Sequence, residues 1–368
     1  MEPGEERAER NGPTVSEHPP LTEAIRLPSG AVKSGAARIA VLGAGSWGTT
    51  FAKVLADGGS DVLIWARRRE VAHEITETHR NSGYLPGINL PPNVRGHDSL
   101  EHVLAGADQV YLSVPSQSLR SNLASIRDIL PPGVPVVSLM KGVERGTGLR
   151  MSEVIENELG IDRDRIAAVS GPNLALEIAR REPTAAVVAS ANESTAMAVA
   201  MVATNDYFRS FVNTDVIGTE FGGVLKNLIA VAVGIADGVG YGENTKASII
   251  TRGLVELTDF AVAFGARPET MIGLAGLGDL IATCESPLSR NNTAGRLLGQ
   301  GYGFAQVIAQ MNQTAEGLAS VGPILELAQS KGVSMPIVSQ VAHVLNGTLD
   351  PRELAPHLAT DSGEPQAE

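Results

Sequence analysis

The sequence predicts an α/β amino-terminal domain with a doubly wound, mostly parallel sheet, followed by an all-α carboxyl-terminal domain. In the first half of the chain, apolar runs rich in β-branched residues alternate with helical patterns, as in parallel sheets covered by helices. After Asp215 the strand-like runs stop, and helical patterns continue to about Leu354. We therefore assign residues 36–215 to the α/β domain and residues 216–355 to the helical domain.

The composition is that of an acidic globular protein with enough residues for two cores. The chain has 368 residues and a formal net charge of −12, which argues against a general nucleic-acid-binding function. Cys284 is its single cysteine, which excludes an internal disulfide framework and fits the cytoplasmic location that we expect. Residues 1–35 and 356–368 are polar, lack a signal-peptide pattern and are predicted to be disordered tails.

The first predicted strand leads into a glycine-rich turn and a helix, within ARIAVLGAGSWGTTFAKVLADGG. Gly43, Gly45 and Gly48 form a G-x-G-x-x-G pattern followed by a second strand, as a dinucleotide-binding unit requires. In such a unit the three glycines permit, in order, a tight turn, the approach of a pyrophosphate and close helix packing. The helix start at Ser46 and Trp47 offers backbone donors to the phosphates. A Rossmann-type domain is predicted, with a glycine turn in some other βαβ unit as the alternative.

The end of the second strand carries arginines where an NAD-selective domain often has a carboxylate. Arg67 follows Trp65 by two positions, and the first carboxylate is Glu70. Since arginine can hold a 2′-phosphate, we expect NADP(H) to be accepted, with or without NAD(H). The alternative is a solvated basic helix start, a stronger rival for Arg68 and Arg69 than for Arg67.

Polar residues follow several of the later strands, where parallel sheets bind ligands. These strands are predicted within DQVYLSVP, PVVSLMKGV, RIAAVSGPN, TAAVVAS and YFRSFVN. Lys141 closes one of them and is a candidate to reach substrate or cofactor, although loop lysines are usually only solvated. The turn that contains Gly171 and Asn173 closes another strand and is expected to expose backbone donors.

The helical domain is predicted around a buried helix at residues 221–236, which contains one charge, Lys226, and one amide, Asn227. Burial lowers the pKa of a lysine and suits it to act as a base. The alternatives are a lysine that reaches solvent and a structural ion pair. None of the seven histidines lies in the polar stretches, so lysine is the better candidate base and no metal site is predicted.

Two further stretches of the helical half carry polar residues. Asp279 lies in the apolar run GLAGLGDLIATC, with Thr283 one turn later, and a buried aspartate requires a partner, for which Lys226 is the candidate. Ser289, Arg290 and Asn291 suit a phosphate, but these residues alone favour the alternative of a helix cap with a surface arginine.

The chain resembles bacterial NAD(P)-dependent glycerol-3-phosphate dehydrogenases over about residues 37–350. The resemblance rests, in order, on GAGSWG, LMKGVE, SGPNLALE, FGGVLKNLIAVAVGIADG, ITRGL, GLAGLGDLIATC, SRN and AEG. It implies interconversion of glycerol 3-phosphate and dihydroxyacetone phosphate, which would supply glycerophospholipid synthesis. It also implies that Lys226 accepts the proton. We further expect a homodimer without stable membrane insertion.

The resemblance also assigns binding residues. Those expected at the substrate, with the adjoining Asn227 and Thr283 added, are Lys141, Gly171, Asn173, Lys226, Asn227, Asp279, Thr283, Ser289, Arg290 and Asn291. Those expected at the cofactor, with the three turn glycines, are Ser46, Trp47, Arg67, Lys141, Ala175, Arg290, Thr314 and Glu316. Many family members have Ser or Thr where this chain has Asn173, which leaves the detail of that contact open.

Two rival functions remain at this point. One is a dehydrogenase of the same architecture that acts on a hydroxy acid or a sugar acid. The other is a non-catalytic NADPH-binding sensor, against which the joint presence of Lys226, Asp279 and Arg290 argues.

Overall fold

The computed structural model describes residues 36–311 and 316–354. The two predicted tails, residues 1–35 and 356–368, lie outside the described residues.

The described residues form one eight-stranded sheet, in the order β3-β2-β1-β4-β5-β6-β7-β8. All neighbouring pairs are parallel except β6 with β7. This sheet, with helices between its strands and a helical region after its last strand, confirms the predicted fold class. The strands are β1 Arg38–Leu42, β2 Asp61–Trp65, β3 Val94–His97, β4 Gln109–Leu112, β5 Val136–Ser138, β6 Ile166–Ser170, β7 Thr184–Ser190 and β8 Phe208–Asn213.

Helices cover both faces of the sheet. Alternate residues of the central strand β1 therefore face two different hydrophobic cores. Ile39 and Val41 of β1 belong to one hydrophobic cluster, and Ala40 and Leu42 belong to another. The helices of this half are α1 Ser46–Asp57, α2 Arg69–Thr78, α3 Leu100–Leu104, α4 Leu119–Ile126, α5 Met151–Leu159, α6 Ala175–Ala179 and α7 Glu193–Ala203, with 3-10 turns at Ser116–Ser118 and Arg163–Arg165.

The second half is helical and is built around α8, Val216–Val239. The Asp215 carboxylate caps this helix by accepting from Gly218 N at 2.8 Å, so α8 begins five residues before the predicted start. The other helices are α9 Glu243–Ala263, α10 Pro268–Met271, α11 Asp279–Glu285, α12 Arg290–Gly299, α13 Phe304–Gln310, α14 Glu316–Lys331 and α15 Pro336–Leu345, with a π turn at Leu274–Gly278 and a 3-10 turn at Pro351–Glu353.

The α8 helix is a core helix. Within residues 36–311 and 316–354 it is the one helix long and apolar enough to cross a membrane, but 89% of its most apolar window is buried in the protein. All its residues from Gly218 to Ala236 are buried, including Lys226 and Asn227. The predicted buried helix is therefore present.

Glycines let α8 and α12 pack with their backbones in contact. A Cβ added at Gly295 of α12 would lie 2.1 Å from the carbonyl oxygen of Val231 in α8, and one at Gly234 of α8 would lie 2.2 Å from that of Asn292. Only glycine permits such an approach. The close packing brings the first turn of α12 alongside the α8 turn that carries Lys226.

Candidate active site

The glycine-rich turn has the geometry that a bound pyrophosphate requires. Gly43 has a φ of +118°, and a Cβ there would lie 2.3 Å from the Ser113 carbonyl oxygen. A Cβ at Gly48 would lie 2.0 Å from the Gly43 oxygen, so this position packs α1 against the turn. At Gly45, by contrast, a Cβ would meet no atom of the described residues within 4 Å. Gly45 is also the N-cap of α1 and has no side chain to cap its first N–H groups, which leaves them for an anion.

Three residues expected at the cofactor lie around α1. Ser46 Oγ donates to the Tyr84 carbonyl at 2.6 Å, and the Trp47 indole donates to the Leu139 carbonyl at 3.1 Å. Thr50 of α1 donates to the Ala175 carbonyl at 3.3 Å, which holds the start of α6 beside α1. The turn, α1 and α6 thus form one continuous surface.

The arginines after β2 lie at the edge of this surface. Arg67 is exposed and follows the buried Ala66, whose N–H donates to the His97 carbonyl of β3 at 3.0 Å. The Arg68 guanidinium lies 5.6 Å from the centre of the Tyr84 ring, a cation–π contact. Arg67 therefore has the more open position of the two for a 2′-phosphate.

Sequence reasoning missed the residue that holds the glycine-rich turn from outside. The buried Asn81 donates to the Ala44 carbonyl at 2.9 Å and to Thr49 Oγ1 at 2.8 Å. Asn81 lies in an irregular loop, where no periodicity marks a buried side chain, so no sequence signal was available.

The centre of the candidate site is Asp279, whose side chain is 1% exposed and which binds two lysines. Lys226 Nζ donates to Asp279 Oδ1 and to Thr283 Oγ1, both at 2.6 Å. Lys141 Nζ donates to Asp279 Oδ2 at 2.5 Å and to the Gly171 carbonyl at 2.9 Å. The predicted pairing of Asp279 with Lys226 is present. The second lysine on the same carboxylate was not predicted.

Close backbone contacts bring these side chains together. A Cβ at Gly222 of α8 would lie 2.4 Å from the Ala275 carbonyl oxygen in the π turn, which leads directly into Asp279. A Cβ at Gly223 would lie 3.2 Å from Cγ and Cδ of Lys141. The two glycines thus admit the π turn on one side and the Lys141 stem on the other.

The electrostatics of the site favour a lysine that loses its proton easily. Burial lowers the pKa of Lys141 to about 8; the Lys226 charge acts in the same direction, and the Asp279 carboxylate opposes both. Sequence reasoning looked for such a shift at Lys226 and did not anticipate one at Lys141.

An amide network joins α8, α12 and α14. Asn291 Nδ2 donates to Asn227 Oδ1 at 2.8 Å, and Asn291 Oδ1 accepts from Gly317 N at 3.0 Å. Ser289 accepts from Asn292 N at 3.2 Å and so acts as the cap of α12, as the alternative interpretation held. Arg290 is exposed at the first position of this helix.

The turn after β6 offers polar groups to a ligand. Gly171 has a φ of +129°, and its carbonyl binds Lys141. Both polar atoms of the Asn173 carboxamide are buried and have no hydrogen-bond partner among the described residues. Buried amides are normally bonded, so a polar ligand would satisfy them. This amide and the open face at Gly45 fit a bound dinucleotide and substrate.

Two residues expected at the cofactor cannot be placed in the same way. Thr314 lies outside the described residues. Glu316 begins α14, and its side chain is not described.

Comparisons with known proteins match both halves of the chain. Two family models match: NAD-dependent glycerol-3-phosphate dehydrogenase N-terminus over residues 38–196, and the corresponding C-terminus over residues 215–356. The glycerol-3-phosphate dehydrogenase [NAD(P)+] of Leifsonia xyli subsp. xyli is 71% identical over 328 residues, which cover 89% of each chain. That of Streptomyces griseus subsp. griseus is 52% identical over 89% of this chain and 98% of its own.

A solved structure, that of glycerol-3-phosphate dehydrogenase from Coxiella burnetii, shares 35% sequence identity with a TM-score of 0.82. The match covers 88% of this chain and 98% of that one. The sequence relatives and the solved structure agree over both halves of the chain, the sheet and the helical region that contribute to the site. The chain therefore belongs to the family of NAD(P)-dependent glycerol-3-phosphate dehydrogenases.

Proposed function

We propose that the chain interconverts sn-glycerol 3-phosphate and dihydroxyacetone phosphate reversibly, with Lys226 as the general acid and base. Family membership gives the oxidoreductase activity and the coenzyme, NAD(P)(H). One observation carries the role of Lys226: its Nζ is held at 2.6 Å from both Asp279 Oδ1 and Thr283 Oγ1, in an otherwise apolar stretch of helix. A proton-transfer group must be fixed in this way.

The coenzyme would be held by the glycine-rich turn, α1 and the residues beside them. Gly43, Gly45 and Gly48 shape the turn, Ser46 and Trp47 start the helix, and Arg67 would bind a 2′-phosphate. When bound, the coenzyme supplies the acceptor or donor of the hydride at C2 of the substrate. The other residues expected to contact the coenzyme are Lys141, Ala175, Arg290, Thr314 and Glu316.

Proton transfer then falls to the lysine–aspartate cluster. In the oxidative direction, neutral Lys226 takes the proton of the C2 hydroxyl; in the reductive direction, its ammonium polarises the ketone and returns the proton. Thr283 Oγ1 donates to the Asp279 carbonyl at 2.7 Å, so its lone pairs face Lys226. The other oxygen of the same carboxylate, Asp279 Oδ2, holds Lys141 beside this pair at 2.5 Å.

The phosphate of the substrate is assigned to the start of α12, with Ser289, Arg290 and Asn291. Arginine at a helix N-terminus combines a bidentate donor with the helix dipole. Asn227, Gly171 and Asn173 complete the polar wall. Binding energy from this remote phosphate would position C2 beside Lys226.

The wider role is also part of the proposal. Glycerol 3-phosphate made in this way would supply glycerophospholipid synthesis. The enzyme would act in the cytoplasm as a homodimer, and each subunit would have two domains with their boundary at residues 215/216. Sedimentation equilibrium of the purified protein tests the dimer.

A comparison of two substrates tests the proposed substrate specificity. Reduction of NADP+ and of NAD+ should be measured separately with glycerol 3-phosphate and with 3-hydroxyisobutyrate, a hydroxy acid without phosphate. We expect kcat/KM to favour glycerol 3-phosphate by about 10³-fold or more, because a site built for a polar group rejects analogues that lack it. A preference for 3-hydroxyisobutyrate would replace the proposal by the hydroxy-acid alternative.

A further inference from the structure

Lys141 depends on the position of its backbone, because it lies on a loop and its ammonium must meet two fixed groups. Asp279 Oδ2 lies at 2.5 Å and the Gly171 carbonyl at 2.9 Å, on different elements of the protein. Its four-carbon stem is flexible and does not fix Nζ by itself, so the loop backbone sets which positions Nζ can reach. A group in a reactive site tolerates an error of only about 0.5 Å.

The turn after β4 holds this loop by its backbone. Gln117 Nε2 donates to the Val143 carbonyl at 2.8 Å, and Gln117 Oε1 accepts from Arg145 N at 3.0 Å. One carboxamide thus pairs with a donor and an acceptor two residues apart, as a neighbouring strand would. Both contacts lie within four residues of Lys141.

Two neighbours of Gln117 support the same loop. A Cβ at Gly142 would lie 2.6 Å from Ser116 Cβ, so the loop packs directly on the residue before Gln117. The Arg120 guanidinium binds both oxygens of the Glu144 carboxylate at 2.9 Å. The chain from Ser116 to Arg120 therefore contacts the loop at residues 142, 143, 144 and 145.

The same turn also contacts the glycine-rich turn. The Ser113 carbonyl lies against Gly43, and the Ser113 side chain lies against Gly48. The stretch from Ser113 to Arg120 therefore contacts the glycine-rich turn on one side and the Lys141 loop on the other.

We propose that Gln117 is a positioning residue for the reaction: its carboxamide holds the backbone of the Lys141 loop in the register that places Lys141 on Asp279. The inference rests on the proposed function for the role of Lys141. Gln117 itself touches neither of the reacting groups and acts through the backbone at Val143 and Arg145.

A double-mutant cycle tests the proposal. Gln117→Leu keeps the bulk of the side chain and removes both hydrogen bonds. It should lower kcat/KM for dihydroxyacetone phosphate about tenfold, since small misplacements in reactive sites are costly. The KM for NADPH and the Tm should change little.

In a Lys141→Ala background, Gln117→Leu should lower kcat/KM by less than about twofold, because the two residues act as one unit. Asn122→Ala is the matched control, since its amide donates to the Ser118 carbonyl beside its own helix and forms no hydrogen bond with the Lys141 loop among the described residues.

The outcomes distinguish a failure of the Gln117 proposal from a failure of the proposed function of Lys141. Additive losses in the double mutant, or a loss that follows a fall in Tm, would show that Gln117 supports the fold and not Lys141. Wild-type activity in Lys141→Ala alone would remove Lys141 from the proposed function, and the inference would fall with it. If Gln117→Leu does not fold, Gln117→Glu takes its place in the cycle. It keeps the acceptor for Arg145 N and sets an oxygen against the Val143 carbonyl.

Discussion

At the scale of single residues, the site depends on one buried carboxylate shared by two lysines. Asp279 presents Oδ1 to Lys226 and Oδ2 to Lys141, and a carboxylate 1% exposed needs such compensation to stay ionised. With both lysines protonated, the three groups carry a net positive charge. In the proposed function, this charge would attract an anionic substrate, and the carboxylate would position the base.

Lys226→Ala should lower kcat by about 10²-fold or more, the usual scale for a general acid–base residue, and leave the Kd for NADPH nearly unchanged. The reason is that the amine contacts Asp279 and Thr283, whereas the glycine-rich turn that would hold the coenzyme lies between β1 and α1. Steady-state kinetics and fluorescence titration with NADPH measure the two quantities. Lys246→Ala, which removes an ammonium paired with Glu243 at 2.7 Å on α9, is the control. A near-normal kcat in folded Lys226→Ala would exclude it from the chemistry.

Arg67→Glu should shift the ratio of kcat/KM values away from NADPH and toward NADH. The exposed side chain follows β2, and its reversal sets an anion against the 2′-phosphate while offering an acceptor to the NADH ribose. We expect a change of about tenfold or more, since charge-assisted hydrogen bonds contribute roughly 1.5–3 kcal/mol. The ratio should be measured at fixed ionic strength, with Arg69→Glu for comparison. An unchanged ratio would mean that Arg67 does not contact the coenzyme.

Part of this arrangement was predictable because an isolated charge in an apolar helix needs a partner. Lys226 and Asp279 each stand alone in apolar sequence, so their pairing follows from charge burial. Lys141 lies 138 positions from Asp279, on a loop, and no local pattern fixes the direction of its side chain. Nor could sequence show that Ser289 caps α12, since capping and phosphate binding favour the same residue types.

At the scale of elements, the contact between α8 and α12 sets the distance between Lys226 and the proposed phosphate site. Asn291 of α12 donates to Asn227 of α8 at 2.8 Å, which requires the two helix backbones to touch. The glycines at their crossing supply that approach. A helix pair held apart by side chains would separate the two halves of the site.

Gly295→Ala should destabilise the protein by about 1–3 kcal/mol, the usual cost of overpacking, and raise the KM for dihydroxyacetone phosphate. The added Cβ would lie 2.1 Å from the Val231 oxygen, a backbone atom that cannot rotate away. Urea denaturation and substrate titration measure the two effects. Gly322→Ala, at an exposed position inside α14, is the matched control, because a Cβ there meets no described atom within 4 Å. Equal stability in the two variants would contradict the argument.

The elements themselves were predictable to different degrees. The apolar composition of α8 marked it clearly, although its start was missed because the cap at Asp215 acts through a side chain. The strand β3 was not predicted, since Val94–His97 contains arginine, glycine and histidine and only Val94 is fully buried. This edge strand pairs in parallel with β2, and that tertiary pairing overrides its weak local preference.

At the scale of the whole molecule, a buried glutamate makes stability depend on pH. Glu256 of α9 accepts from Ile337 N at 2.9 Å and Val338 N at 3.1 Å, at the start of α15. Burial raises the pKa of its carboxyl to about 7, although the two N–H groups oppose the shift. Because the folded protein holds this proton at higher pH than the unfolded chain, the contribution is complete below the ordinary pKa and is lost as pH rises toward 7.

The unfolding free energy should therefore fall by on the order of 3 kcal/mol between about pH 4.5 and pH 7 through this group alone. Glu256→Gln, which cannot ionise, should show a flatter profile over that window. Denaturant unfolding at half-unit pH intervals compares the two proteins, with Glu269→Gln at an exposed position of α10 as control. Parallel profiles for wild type and Glu256→Gln would rule out Glu256 as the source.

The burial of α8 also has a consequence for how the chain is made. Among the described residues, the helices that pack on α8, namely α9, α10, α11, α12, α14 and α15, all follow it in the sequence. At ordinary elongation rates the ribosome needs roughly 5–20 s to add the hundred residues that contain them. During that interval a 24-residue segment apolar enough to pass for a membrane span emerges without its covering helices. We therefore expect the nascent chain at this stage to expose an aggregation-prone segment, and a fragment that ends shortly after Gly240 to aggregate.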